Sequence, residues 1–414
     1  MNARLDQWMQ GKPIARDWLG AIRSRAHESA VRLDLPGPKH EAWRLTDLNP
    51  LYAQHFSEVQ SDQPLPEIGP YLIPGALRIV FVDGRYADGL SELPRDSSVE
   101  IVPLGLEDEA LHAYFGRGAS AEDDVFAALN TRFFDDCAWI HVNGEVEAPI
   151  HVLNIGTQSA TLYPRCLVVL APNAKATLIE EHAGSAACFS NSVTEIHVHE
   201  HAALRHVQVQ REGAQAFHVG HCAVSVERGG SYDTTALSFG SRFSRLNLRV
   251  ALLGEGGAAR LDGLILSDGR EIGDAHTRID HLAPDCRSVQ HHKCIADGAS
   301  SAVFSGDIVV HRGAKGTDST QVSRNLLLSG RARIDAQPQL EILNDDVSCK
   351  HGATVGQIDQ EELFYLKSRG LAEEHARKLL IYAFAAEIVD RIPVPFLVES
   401  LKDRLFERMG GRWA

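Results

Sequence analysis

A thiol and an imidazole two residues apart, Cys349 and His351, stand within Asp345-Asp-Val-Ser-Cys-Lys-His-Gly-Ala-Thr354. On a strand such a spacing puts both side chains on one face. With Lys350 and the imidazole beside it, the Cys349 thiol is expected to have a lowered pKa and more thiolate, the form that ligates iron or accepts sulfur. One Cys and one His cannot complete a tetrahedral iron site, since cluster irons are generally held by four thiolates or a near equivalent. The missing ligands would have to come from another chain, which places the pair at an interface. The plainer alternative is a half-buried structural pair.

Three further groupings could carry chemistry. His197, His199 and His201 alternate in Ile196-His-Val-His-Glu-His201, so a strand would align three imidazoles able to hold zinc or iron; the competing reading is a solvated outer face. In His291-His-Lys-Cys294 only His292 and Cys294 could converge, because neighbours along a strand point to opposite faces. Gly313-Ala-Lys-Gly-Thr317 fails the Gly-x-x-x-x-Gly-Lys-Ser/Thr pattern of a phosphate loop, and Gly254-Glu-Gly-Gly257 lacks the third glycine of a dinucleotide fingerprint. Both read as turns.

The elements that must position these residues change character along the chain. Leu5, Trp8, Met9, Trp18, Leu19, Ile22 and Ala26 recur at helical spacing with a break at Pro13, which predicts two short amphipathic helices. Asp34 to Gly75 is proline-rich and aperiodic, an irregular segment tied down by side chains. From about Pro149 to Ser348, short strand-like runs such as Leu167-Val-Val-Leu170 are separated by small-residue turns. The turn signature begins at Asn173, His201, Gly229, Gly256, Gly298 and Gly330, in steps of 28, 28, 27, 42 and 32 residues. A spacing near 28 without helices is that of a stacked β-coil, and the long step implies an insertion or a missed coil. A β-sandwich is the alternative, although its turns need not repeat. Asp359 followed by Glu362 forms a capping box ahead of Leu363, Phe364 and Leu366, and Gly370 suits the stop. A second helix carries Leu379, Leu380, Tyr382, Ala383, Ala386 and Val389; Ile392-Pro-Val-Pro395 breaks it, and Phe396, Leu397, Leu401, Leu405 and Met409 mark a third.

Composition narrows the function classes. Lys and Arg total 41 against 55 Asp and Glu, and the net charge of -14 opposes nonspecific binding to nucleic acid or to anionic lipid. Seven scattered cysteines, with no Cys-x-x-Cys pair, fit a reducing compartment. The opening MNARLDQWMQGK lacks the apolar core of a signal peptide, and no stretch approaches the roughly 18 apolar residues of a membrane span. A cytoplasmic location is expected.

Arg331-Ala-Arg-Ile-Asp-Ala-Gln-Pro-Gln-Leu-Glu-Ile-Leu-Asn-Asp-Asp-Val-Ser-Cys-Lys-His-Gly-Ala-Thr-Val-Gly-Gln357, running into Leu363-Phe-Tyr-Leu-Lys-Ser-Arg-Gly370, resembles the C-terminal signature of the SufB/SufD family of iron–sulfur cluster assembly proteins. Thr317-Asp-Ser-Thr-Gln-Val-Ser-Arg-Asn-Leu-Leu-Leu-Ser329 also fits. Lys39-His-Glu-Ala-Trp-Arg-Leu-Thr-Asp47 resembles the family's Glu-x-Trp-Arg-Tyr-Thr-Asp segment, with Leu45 in place of Tyr. The SufB branch typically reads Glu-His-Glu-Ala where this chain has Cys-Lys-His-Gly-Ala-Thr, so the SufD branch is the better match. The resemblance implies a mainly β chain: a right-handed parallel β-helix over residues 76–350, between an N-terminal helical and irregular domain over 1–75 and a C-terminal helical domain over 351–414. It implies a non-catalytic scaffold that pairs with SufB through the β-helix and docks the SufC ATPase through its C-terminal helices, where Leu363, Phe364, Tyr365, Leu366 and Arg369 are candidate contacts. It further implies that Fe–S clusters form transiently near the SufB interface, with Cys349 as a transient thiolate partner and His351 as a ligand or proton carrier. Whether a reduced flavin joins that complex is left open.

Two other readings stand beside it. A β-helix enzyme acting on acidic polysaccharide is suggested by the coil repeat and by the acidic pairs Asp345-Asp346 and Asp123-Asp124, but the charge of -14 would repel a polyanion. A self-sufficient homodimer of the same family is the third.

Overall fold

The computed structural model describes residues 5, 8–9, 18–37, 39–60, 63–93, 98–103, 109–118 and 121–408. The expected break at Pro13 and the stripe residue Met409 lie outside them. Two ten-stranded sheets face each other as a parallel β-solenoid of about eight turns. Sheet A stacks Leu77–Val82, Ile150–Ile155, Lys175–Ala183, Ala203–Gln210, Ser231–Ser238, Ala258–Ser267, Arg287–Ala296, Thr317–Leu327 and Val347–Gly356. Sheet B stacks Ala138–Val142, Arg165–Leu170, Phe189–Val198, Phe217–Val226, Phe243–Leu252, Ile272–His281, Ser301–Val310 and Arg333–Ile342. The boundary expected at residue 350 falls inside the last of these strands, Val347–Gly356.

The coil repeat is set at one corner by a ladder of left-handed residues. Asn173, His201, Gly229, Gly256, Asp285 and Gly316 all have φ between 50° and 70°. Each sends its backbone N–H to the turn of the next coil, as in His201 N to Arg228 O at 2.9 Å and Gly229 N to Glu255 O at 2.9 Å. Glycine and short polar residues are the ones that tolerate this conformation. The ladder corrects the 42-residue step. The rung after Gly256 is Asp285, which carries no glycine, while Gly298 belongs to the opposite corner, where Ala299 N bonds Gly269 O.

Inward-facing residues of the early coils are apolar, among them Ile79, Ile140, Ile150, Val168, Leu178, Ile196, Leu204 and Val224. Removing such surface from water drives the stacking. Both outer faces are covered over part of their length. Helix α1 (Trp18–Leu33) precedes an irregular stretch, and α2 (Val125–Phe133) follows the first coil strand of sheet A. Trp8, Trp43, Leu51, Phe126 and Leu129 seat this N-terminal region on Phe189, Phe217 and Phe243 of sheet B. At the other end of the chain come α3 (Gln360–Ser368), α4 (Glu373–Val389) and α5 (Pro395–Arg408). Leu363, Ile381, Ile388, Leu397 and Leu401 pack them against Leu237, Leu264 and Ile295 on sheet A.

The Asp359 N-cap and the Gly370 stop of α3 form as the sequence predicts, whereas the Glu362 half of the capping box makes no return bond to Asp359 N among the described residues. The Asp359 carboxylate accepts from Glu361 N and Glu362 N. At the far end Gly370 has φ 95°, its N–H bonds Lys367 O at 3.0 Å, and Leu371 N bonds Leu366 O at 3.3 Å, a Schellman stop. No helix among the described residues is long and apolar enough to cross a membrane.

Candidate functional site

The strand Val347–Gly356 pairs on one side only, with Thr317–Leu327, and Arg333–Ile342 likewise pairs only with Ser301–Val310. These two strands close the C-terminal end of the solenoid, and among the described residues no further strand pairs with their outer edges. Ile342, Leu343 and Val355 are 43%, 47% and 47% exposed. Helices α3 to α5 lie on the outer face of sheet A and leave this end bare. At the opposite end, the antiparallel strands Arg85–Tyr86 and Val99–Pro103 terminate the two sheets.

Cys349 and His351 sit on the bare strand, in register with Ser319 and Gln321. Both face the solenoid axis: Cys349 packs with Ile308, Val310, Leu340 and Val347 at the end of the interior, and His351 above it is exposed. Their shared face matches the expectation from spacing. The expected lowered thiol pKa does not hold, because burial and the Asp318 carboxylate raise Cys349 above the usual thiol value. Lys350 points away from it, as strand alternation requires.

Beneath the pair the interior is polar. Ser319 Oγ lies 2.7 Å from Ser288 Oγ, which lies 2.9 Å from His281 Nε2. Gln321 Nε2 donates to Gln290 Oε1 at 2.8 Å, and Gln290 Nε2 donates to Thr277 Oγ1 at 2.7 Å. The individual motifs did not single these residues out. Their signal was the alternation Ser319, Gln321, Ser323, Asn325 within a strand that the coil repeat turns polar side inward. Deeper still, Glu180 is flanked by His182 at 3.2 Å and His206 at 3.4 Å. Burial would raise this carboxyl, but the two imidazoles hold it well below the ordinary range.

The other candidates are placed as follows. His292 and Cys294 do converge, with Sγ 3.7 Å from Nδ1, in the closed interior. Desolvation lowers His292 to about 3 and pushes the Cys294 thiol up, so both are neutral. His197, His199 and His201 do not share a strand face, because the strand ends at Val198 and His201 adopts φ 57° in the corner ladder. His197 bonds Ser225 Oγ at 2.9 Å; His199 bridges Glu227 at 3.1 Å and Tyr114 OH at 3.0 Å. Among the described residues no group of three or more His, Cys, Asp or Glu is placed to hold a metal ion. Gly313–Gly316, just before the strand that Thr317 opens, and Gly254–Gly257 are turns of the coils. Asp124 caps α2 and pairs with His221 at 3.1 Å, while the Asp346 carbonyl accepts from Gly316 N at 2.7 Å, so these acidic residues serve the fold.

Of the proposed docking residues, Leu363 is buried in the helix–sheet core and Leu366 is half-buried. Phe364 and Tyr365 are 73% and 62% exposed, and Arg369 is exposed. With Leu379, Leu380 and Ala383 of α4, Tyr365 and Leu366 line an apolar groove of about 600 Å³.

The Trp43 segment clamps the outer face of sheet B. Trp43 stacks under Arg245, whose guanidinium lies 3.8 Å from the ring centroid, and Arg245 holds Asp274 at 2.9 Å. Thr46 Oγ1 donates to the same carboxylate at 2.6 Å. Burial raises Asp274, but Arg245 and His276 outweigh it and bring the carboxyl down to about 2.

Residues 153–384 match the family model described as "SUF system FeS cluster assembly, SufBD core domain", which covers most of the coils and ends within α4. The chain belongs to the SufBD family. It is 35% identical to an iron–sulfur cluster assembly SufBD family protein of Synechocystis sp., across 94% of this chain and 88% of that protein. With the iron–sulfur cluster assembly protein SufD of Escherichia coli the identity is 32%, across 93% and 91%. A chloroplastic protein of Arabidopsis thaliana, ABCI7, is 29% identical across 94% and 86%. The chain is thus a SufD-like member of the SufBD family, and its Cys349/His351 pair stands at the bare end of the SufBD core.

Proposed function

We propose that this chain is a non-catalytic scaffold on which Fe–S clusters, as cargo, are built at a site shared with a second SufBD-type subunit. The observation that carries the reading is the position of Cys349 and His351 on an uncovered end strand, facing the axis. One thiol and one imidazole leave an iron's coordination unfilled, and a sister subunit seated on this end would supply further ligands. That sister is SufB in the assembled complex, with a second copy of this chain as the arrangement in its absence. The exposed aromatics of α3 and the groove between α3 and α4 dock the SufC ATPase, whose hydrolysis cycle moves the two scaffolds and opens the shared site.

Anaerobic affinity purification from the native cells tests the partnership. Near-stoichiometric recovery of an ABC-type ATPase and a sister β-solenoid protein is expected; recovery of the chain alone from cells expressing both would overturn it. In the reconstituted complex, His351→Ala is expected to lower the rate of cluster formation at least tenfold. An unchanged rate would remove His351 from the site.

A further inference from the structure

We propose that Gln321 is a positioning residue for His351. Its carboxamide oxygen accepts one imidazole N–H, so that the other ring nitrogen is presented at the open end of the solenoid. The inference rests on reading Cys349 and His351 as the assembly pair and adds a residue to that site.

Four observations carry it. Gln321 is the in-register neighbour of His351 on the adjacent parallel strand, and both face the axis. Such neighbours are about 4.8 Å apart, so one ring rotation brings the imidazole within hydrogen-bond reach. Second, the direction of the amide chain is set from its far end. The Ser305 carbonyl can only accept, so the Thr277 hydroxyl donates to it at 3.5 Å. Thr277 then accepts from Gln290 Nε2, Gln290 turns Oε1 upward, and Gln321 answers with Nε2. What remains at the top is Gln321 Oε1, buried and without a partner. A buried carbonyl in that state is costly unless something comes to it. Third, the site makes room for this amide: a Cβ on Gly306 would lie 2.2 Å from Gln321 Nε2. Fourth, the amides are local to the end of the column. Beyond Gln290 the same register position is Leu261, then Thr234 and His206, then the apolar Leu178 and Ile150, so no other amide stands in this column.

The His351 side chain is exposed and makes no hydrogen bond among the described residues. Histidines that bind metals nearly always donate their second N–H to a carbonyl or carboxylate, which fixes ring orientation and tautomer. Gln321 is the buried acceptor in place to do this.

The test uses the full chain with ¹⁵N-labelled histidine, reading the ring nitrogens by long-range ¹H–¹⁵N correlation. His351→Ala identifies the relevant signals among the 20 histidines. In the wild type His351 is expected in one predominant tautomer. Gln321→Met should return it to the mixture of a free imidazole, and Gln321→Glu should restore the preference. In the reconstituted complex, Gln321→Met should slow cluster formation about tenfold and Gln321→Glu should recover most of it. Should the methionine variant not fold, Gln321→Asn withdraws the oxygen while keeping the amide and must shift the tautomer the same way. A free-imidazole mixture in the wild type, or an unchanged tautomer in folded Gln321→Met, would overturn the proposal. A tautomer that responds while cluster formation does not would uphold the positioning role and sink the assembly reading of His351 instead.

Discussion

Cys349 is the half-buried member of a set of cysteines whose other six are buried, and its raised pKa leaves little thiolate at neutral pH. Iron or sulfur must therefore displace a proton to bind it. Native protein treated with iodoacetamide should react first at Cys349, slowly, and Asp318→Asn should speed that reaction several-fold by removing the carboxylate that disfavours the anion. Peptide mass spectrometry at timed intervals checks this; equal labelling of Cys137 or Cys294 would contradict it. Two buried imidazoles make a second residue-scale prediction. Burial lowers His292 to about 3 and His281 to about 4, whereas in the unfolded chain each takes up a proton near pH 6.5. Below about pH 6.5 the unfolded chain binds more protons, so stability falls as pH drops, by up to about 1.4 kcal/mol per unit for each group. Above that range the contribution is complete. In His292→Leu the stability difference between pH 8 and pH 5 should shrink by about 2 kcal/mol, read from urea midpoints at the two pH values. The types and spacing of Cys349 and His351 revealed their shared face in the sequence. The sign of the thiol shift was hidden, because it depends first on burial at the end of the interior and then on Asp318, which is brought to the motif only through strand pairing with Ser348.

At the scale of elements, the corner ladder explains which part of the repeat could be read. Four of its rungs, Asn173, His201, Gly229 and Gly256, carry the small-residue turn that marks a coil, whereas Asp285 reaches the same φ region with a side chain that resembles no glycine. Substitutions should separate these cases. Gly229→Ala forces a Cβ to φ 62° and to within 2.3 Å of His201 Nδ1, and should cost about 2 kcal/mol or more in urea unfolding. Asp285→Gly relieves a left-handed residue at an entropic cost of similar size and should change stability by less than about 1 kcal/mol. A neutral Gly229→Ala would mean that the corner is not a tight rung. The helices were more legible than the coils, since the caps of α3 are local chemistry: the Asp359 side chain and the positive φ of Gly370 need no distant partner. What holds α4 to the solenoid is long-range, and no local pattern shows it. Lys293, nearly buried, donates to Glu387 at 2.5 Å and to the Phe384 carbonyl at 2.8 Å; Arg391 grips Asp262 at 2.9 Å.

The whole molecule has unlike ends. Antiparallel strands terminate the solenoid at Arg85–Tyr86 and Val99–Pro103, and the Trp43 segment lies along sheet B, where Arg44 donates to Gln337 at 3.0 Å on Arg333–Ile342, the last strand of that sheet. Beyond that strand, unpaired backbone edges and three uncovered apolar side chains remain. An isolated protein normally protects such edges with charge, a bulge or a covering element, because a bare edge is a template for another chain. Here the protection is partial: Pro338 removes one donor and Arg333, Asp335 and Glu341 charge one edge, while the other carries Lys350 but no charge around Val355. An end left bare in the place where Cys349 and His351 face the axis is what the proposed partner-completed site requires. If a sister subunit seats there, a cation on the inward face should block it without unfolding the coils beneath. Val355 is already 47% exposed, so Val355→Lys should leave the stability of the isolated chain in urea within about 0.5 kcal/mol of the wild type. It should lower co-purification of the sister subunit at least tenfold and shift any self-associated species to the monomer in sedimentation velocity. ATPase binding through α3 and α4, on the outer face of sheet A, should be retained in the same variant. Loss of the ATPase together with the sister would instead place both contacts on one surface, and undiminished sister binding would move the interface away from the bare end and leave Cys349 and His351 without their missing ligands.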